Sequence, residues 1–238
     1  MAKTVANKSA NKIFLLFSEI VSPFVPVLKS SYLYIGMFSV FAGMELNFIS
    51  QTYLHNFLSK GNNLPLLSDM ILDKLPTYNV SILYDLFSFI PGILVGIYVI
   101  HRKAYNKLPF ILLMSGLIEI VRGIFIVLTP IGNPPMFGGS DGLFNGFSKY
   151  ELGVYPSGHV GSVFLFLLMV KDKTYKWLIF ICLLIVIVTL FLAHAHYSID
   201  ILSGLFFAYA INSIGEKYFY MFNINTLVKP KSGKSKSQ

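Results

Sequence analysis

Residues 177–205 read WLIFICLLIVIVTLFLAHAHYSIDILSGL. Residues 177–193 carry no charge, and a run of about 17 apolar residues is enough for a helix that crosses a bilayer. Apolar sequence resumes at Ile201-Leu202, so His194-Ala195-His196-Tyr197-Ser198-Ile199-Asp200 marks the point where one such helix turns into the next. Ionisable side chains at membrane depth are costly and are kept for a purpose. If a helix begins near His196, Asp200 lies one turn on and on the same face. The carboxylate then holds a proton on one imidazole nitrogen and leaves the other free as a nucleophile. The alternative for this pair is a structural hydrogen bond that closes the helical hairpin. His194, two residues before His196, reads as an interfacial residue or as support behind the pair, and Tyr197 is a second support candidate. A metal site built from the histidines and Asp200 is a third reading. The i,i+2 spacing of His194 and His196 counts against it, because those positions point apart on a helix.

Composition extends the membrane reading to the rest of the chain. Of 238 residues 55% are hydrophobic and 13% charged, against about 25% charged in an ordinary soluble domain. The formal charge of +8 does not imply nucleic acid, because the lysines sit at the ends of apolar runs rather than on one basic face. The single cysteine, Cys182, lies within an apolar run and allows no intrachain disulfide and no cysteine-based metal site.

The expected architecture is an all-α integral membrane bundle of six transmembrane helices, over residues 31–52, 82–100, 108–129, 156–170, 177–193 and 197–215. A basic segment with a short N-terminal interfacial helix occupies 1–30. Glu19, Pro23 and Pro26 interrupt residues 13–28, which favours an interfacial helix there over a secretory signal. The six-span domain covers 31–220 and a basic tail 221–238. An even number of crossings puts both ends on one side. The short basic loops at His101–Lys107 and Lys171–Lys176 fall on that same side, which the positive-inside rule makes cytosolic. His159, His196, Asp200 and the outer half of the third span, with Arg122, then meet at the opposite, extracytosolic face.

Arg122 is one of only two arginines and lies inside the third span. It reads either as an ion pair with Glu119, one turn earlier, or as a bidentate clamp for phosphate. Pro156-Ser157-Gly158-His159 opens a helix whose free N–H groups would attract an anion. Ser157 and Gly158 are therefore candidates to bind phosphate beside Arg122. His55 and His101 read as interfacial.

Arg122, Leu128-Thr129-Pro130, Ser157-Gly158-His159 and His194-Ala195-His196-Tyr197-Ser198-Ile199-Asp200 together resemble the sphingomyelin synthase family, a branch of the type-2 phosphatidic acid phosphatase superfamily of six-span bundles. The loop from Leu64 through Asp69 to Pro76 is similar to the family's loop before the second span. The likeness covers roughly residues 60–215, and the H-x-H-Y-[ST]-x-D string is its specific part. Pro156 before Ser157 is instead the phosphatase form, while Leu190 and Gly123 depart from the phosphatase signatures. The resemblance implies that His196 attacks a lipid phosphorus, Asp200 orients it, His159 exchanges protons with the alcohols, and Arg122 and Gly158 hold the phosphoryl oxygens. It implies phospholipid and lipid-alcohol substrates, such as ceramide, with no metal and no cofactor. A lipid phosphate phosphatase or phospholipase C-type hydrolase is the nearest alternative, and a non-catalytic transporter or membrane organiser the more distant one.

Overall fold

Among the described residues the apolar runs fold into six helices of a dozen residues or more. The computed structural model describes residues 22–135, 150 and 152–224. The helices are α1 (Ser31–Ser59), α2 (Ser81–His101), α3 (Leu108–Leu128), α4 (Gly158–Met169), α5 (Lys173–Leu192) and α6 (Ser198–Tyr218), with no strand among the described residues. Most of the expected interfacial helix over 13–28, the 136–149 loop and the basic tail from 225 lie outside the described residues. Of the first, residues 22–28 fall within them, with a single helical turn at Val25–Leu28.

Five of the six helices are long and apolar enough to cross a membrane. α4 is not: its 12 residues rise about 18 Å, short of a hydrocarbon core of about 30 Å. It holds the middle of the bundle, packed on α2, α3, α5 and α6, while α1 lies along α3 and α2 along α5. Surrounded in this way, α4 presents little of its surface to the exterior.

Large apolar side chains lie on the outside of the bundle as well as in its core. Phe38, Phe41 and Ile49 on α1, Trp177 and Val188 on α5 and Phe206 and Tyr209 on α6 are all exposed. Between Leu33 and Leu54 the buried stripe of α1 is small and polar: Gly36, Ser39, Gly43, Asn47, Ser50 and Gln51. Where the exterior solvent is as apolar as the core, helices associate through close packing of small residues and interhelical hydrogen bonds. A Cβ on Gly43 would lie 2.7 Å from the Cβ of Glu119. Ser50 donates its hydroxyl to the Gly123 carbonyl at 2.7 Å, and Asn47 its amide to the Glu119 carbonyl at 2.7 Å. These are the features of a multi-pass membrane protein.

The two ends of the described chain meet at one end of the bundle. Phe24 packs on Tyr105, Tyr32 on Phe222, and the Ile224 N–H donates to the Asn106 carbonyl at 2.9 Å. The Arg102–Asp172 ion pair joins the two basic loops at that same end. His159, His196 and Asp200 belong to the other end.

Candidate functional site

The site forms where the start of α4 meets the start of α6. The Ser157 N–H donates to the Asp200 carbonyl at 3.1 Å, and the Ser157 hydroxyl accepts from the Val160 N–H at 3.4 Å, capping α4. Gly204 allows the approach, since a Cβ there would sit 2.8 Å from the Ser157 carbonyl oxygen. This joint sets the rings of His159 and His196 5.8 Å apart, with planes at 70°. Ser157 therefore spends its N–H on the joint and its hydroxyl on the cap of α4. The N–H groups at Gly158 and His159, in the first turn, have no acceptor within the helix.

α6 begins at Ser198, with Tyr197 as its N-cap, near His196 as expected, so His196 itself stands just outside the helix. The pairing with Asp200 rests on this cap. Asp200 is the third residue of the helix, and its Oδ2 turns back to accept the Tyr197 N–H at 2.8 Å. The same oxygen lies 3.4 Å from Nδ1 of His196, within ion-pair reach but without the alignment of a hydrogen bond. Both residues are buried, Asp200 completely. With Nδ1 facing the carboxylate, Nε2 is the nitrogen that faces away from it.

His159 has a carboxylate partner that the sequence reading did not assign to the site. Asp85, buried in the first turns of α2, places Oδ1 3.3 Å from Nε2 of His159, and the Tyr84 ring meets the imidazole edge-on at 5.2 Å. The sequence signal was an aspartate just inside a membrane-length run. Its separation from His159 by 74 positions hid the pairing.

Arg122 makes no ion pair with Glu119. Asn47 stands between them: its Oδ1 accepts from Nη1 of Arg122 at 2.6 Å, and its Nδ2 donates to Oε2 of Glu119 at 3.2 Å. Glu119 also accepts from the Ser162 hydroxyl at 3.2 Å, and Nη2 of Arg122 donates to the Gly153 carbonyl at 3.3 Å. The buried Nε of Arg122 has no partner and lies against Gly158, where a Cβ would come within 2.8 Å of it. A guanidinium thus rests on the N-terminus of α4, two positive features at one place.

A cavity of about 410 Å³ opens from this point, lined by Asn47, Gln51, Ser88, Glu119, Arg122, Gly158, His159 and Ser162, with Met44 and Phe89 completing it. Met44 and Phe89 are exposed, so the cavity reaches the apolar exterior between α1 and α2. His196 does not line it; the nucleophile candidate lies behind His159.

The segment before α2 closes the far end of the site. Asp69 accepts the Ser198 N–H at 2.6 Å and its hydroxyl at 2.8 Å. The Leu67 N–H donates to the Tyr197 hydroxyl at 3.2 Å. The His194 ring bonds the Leu75 carbonyl at 3.2 Å through Nε2, with its own backbone at φ 50°. His194 and Tyr197 therefore tether this loop, and neither ring touches His159 or His196 through a hydrogen bond. Partial burial pushes the Asp69 carboxyl up, but the hydrogen bonds from Ser198, Ile71 and Leu72 outweigh it and hold the group below its ordinary 3.8. His55 stacks on Tyr150 and His101 bonds the Tyr175 hydroxyl, both away from this site.

Compared with known proteins, the chain matches no family model and no curated sequence.

Proposed function

We propose that this protein is a membrane lipid phosphotransferase. It moves a phospho-head group from a glycerophospholipid to a lipid alcohol such as ceramide, through a phosphohistidine at His196. The observation that carries this reading is the convergence of Arg122, His159, His196 and Asp200, from three separate stretches of sequence, beside a cavity that opens to the apolar exterior. The likeness of the same residues to the sphingomyelin synthase family supports it.

In the first step, Nε2 of His196 forms a bond to phosphorus and the bond from phosphorus to the diacylglycerol oxygen breaks. His159 delivers a proton to that oxygen. In the second step His159 takes the proton of the incoming hydroxyl, whose oxygen bonds phosphorus as the P–N bond breaks. Asp200 orients His196 and balances the charge that its ring acquires. Arg122 and the N–H groups at Gly158 and His159 hold the phosphoryl oxygens where charge builds. His159 stands between the cavity and His196, so its ring turns aside for phosphorus to pass, and Asp85 defines the position to which it returns. Glu119, one turn deeper than Arg122, suits a head group that carries a positive charge.

With water as acceptor the same site is a hydrolase, a second reading that Pro156 before Ser157 favours. α4 counts in this account as a sixth, shortened crossing, with the termini cytosolic and the site extracytosolic. Purified protein in micelles, given labelled phosphatidylcholine or phosphatidylethanolamine with and without ceramide, tests the reading. A labelled sphingolipid that requires ceramide and is lost in His196→Ala is the expected result. Head-group release without ceramide makes the enzyme a hydrolase, and undiminished turnover in His196→Ala removes the mechanism.

A further inference from the structure

At the end of the bundle away from the histidines, α4 stops at Met169 and α5 starts at Lys173. A groove of about 400 Å³ lies there, lined by Leu167 of α4 and by Lys173, Lys176, Trp177 and Phe180 of α5. These α5 positions follow the i, i+3, i+4, i+7 rhythm of one helix face. The two lysines, both exposed, head the stripe, and the two aromatic rings stand below them at 84° to each other, with centroids 5.6 Å apart.

The charge of this rim is not cancelled locally. Asp172, the nearest carboxylate in sequence, is taken by Arg102 and by the N–H groups at Thr174 and Tyr175. Among the described residues neither Lys173 nor Lys176 has a carboxylate within ion-pair distance. A cationic rim above an apolar, aromatic slot matches a molecule with an anionic head and a hydrocarbon tail. Aromatic residues at the level of lipid head groups, with lysines beside them, are positioned for such contacts.

We propose that this groove is a binding site for an anionic phospholipid. Its phosphate lies between the Lys173 and Lys176 ammonium groups, and one acyl chain fills the hollow beneath Leu167 against Trp177 and Phe180. The site is separate from the histidine cavity and does not depend on the reaction assigned to it.

Trp177 is the only tryptophan in the chain, so its fluorescence reports on this groove alone. The test reconstitutes the full chain into vesicles of unlabelled phosphatidylcholine. These contain a small fraction of brominated phosphatidylglycerol or, in parallel, the same fraction of brominated phosphatidylcholine. The brominated anionic lipid should quench Trp177 as if enriched roughly five- to thirtyfold over bulk, the range that one or two lysine contacts give. Raised salt should reduce that preference. Lys173→Gln with Lys176→Gln should remove it, and Lys173→Arg with Lys176→Arg should keep it. Equal quenching of the wild-type chain by the two lipids overturns the proposal without recourse to any variant, as does a preference that survives loss of both lysines.

Discussion

At the residue scale, function is read from how each side chain is held. Arg122 has its two terminal nitrogens fixed by Asn47 and Gly153 and its Nε against Gly158. Arg122→Lys keeps a charge but loses the planar fork, and should cost roughly 10²–10³-fold in turnover, the scale of a lost oxyanion donor. Gly158→Ala should act through the same group, since the added Cβ meets Nε at 2.8 Å. We expect turnover to fall while the melting temperature changes little, as measured by lipid assay and thermal unfolding side by side. Asp85→Asn leaves the His159 ring with a neutral partner and should shift the pH profile of turnover; an unchanged profile would remove Asp85 from the site. The four residues singled out in sequence were legible because histidine, arginine and aspartate are conspicuous in apolar runs. Asp85 and Asn47 were not, because their roles come from contacts across 74 and 75 positions. The ion pair between Arg122 and Glu119 was a reasonable expectation from i,i+3 spacing, but a third side chain can occupy the space between two residues on one helix, and Asn47 does.

At the element scale, the helices follow the apolar runs but their ends follow local chemistry. α1 continues through Gln51, Thr52, His55 and Asn56 to Ser59, because polar residues do not stop a helix in the absence of a breaker. Gly61, at φ 82°, follows it. α5 starts at Lys173 because Asp172 caps it through the N–H groups at Thr174 and Tyr175, a signal present in the sequence but overshadowed by the run that begins at Trp177. The contact between α1 and α3 tolerates no bulk. Gly43→Ala should destabilise the protein by about 1–3 kcal/mol, the usual cost of overpacking, measured by thermal or denaturant unfolding in detergent. The loop before α2 carries a pH prediction. The folded-state value of Asp69 is lowered, so its contribution is fully present above the ordinary 3.8 and is lost as pH falls through the lower folded value. Hydrogen exchange at the Ser198 amide should therefore quicken below that pH. In Asp69→Asn the acid-dependent step should vanish; persistence of the step would place its origin elsewhere.

At the scale of the whole molecule, large apolar side chains are exposed around an apolar core, and the two ends of the described chain meet at the basic end of the bundle. Charge at the ends of apolar runs made this arrangement legible, and the fourth run, 156–170, was already the shortest; α4 is shorter still because Ser157 caps its start and Val170 its end. Cysteines introduced at Lys60 and at Lys103 should label from opposite sides of sealed vesicles, Lys103 from the cytosolic side; labelling from one side would reject the six-crossing topology. The central claim is covalent: His196 carries the phospho-head group between donor and acceptor. The most direct measurement is mass spectrometry of the peptide containing His196 after rapid acid-free quenching of the protein with phosphatidylcholine and no acceptor alcohol. The account predicts an added phosphocholine group on that histidine, removed when ceramide is supplied and absent in His196→Ala. Continued turnover with no adduct on His196, and with His196→Ala as active as the wild type, would contradict it.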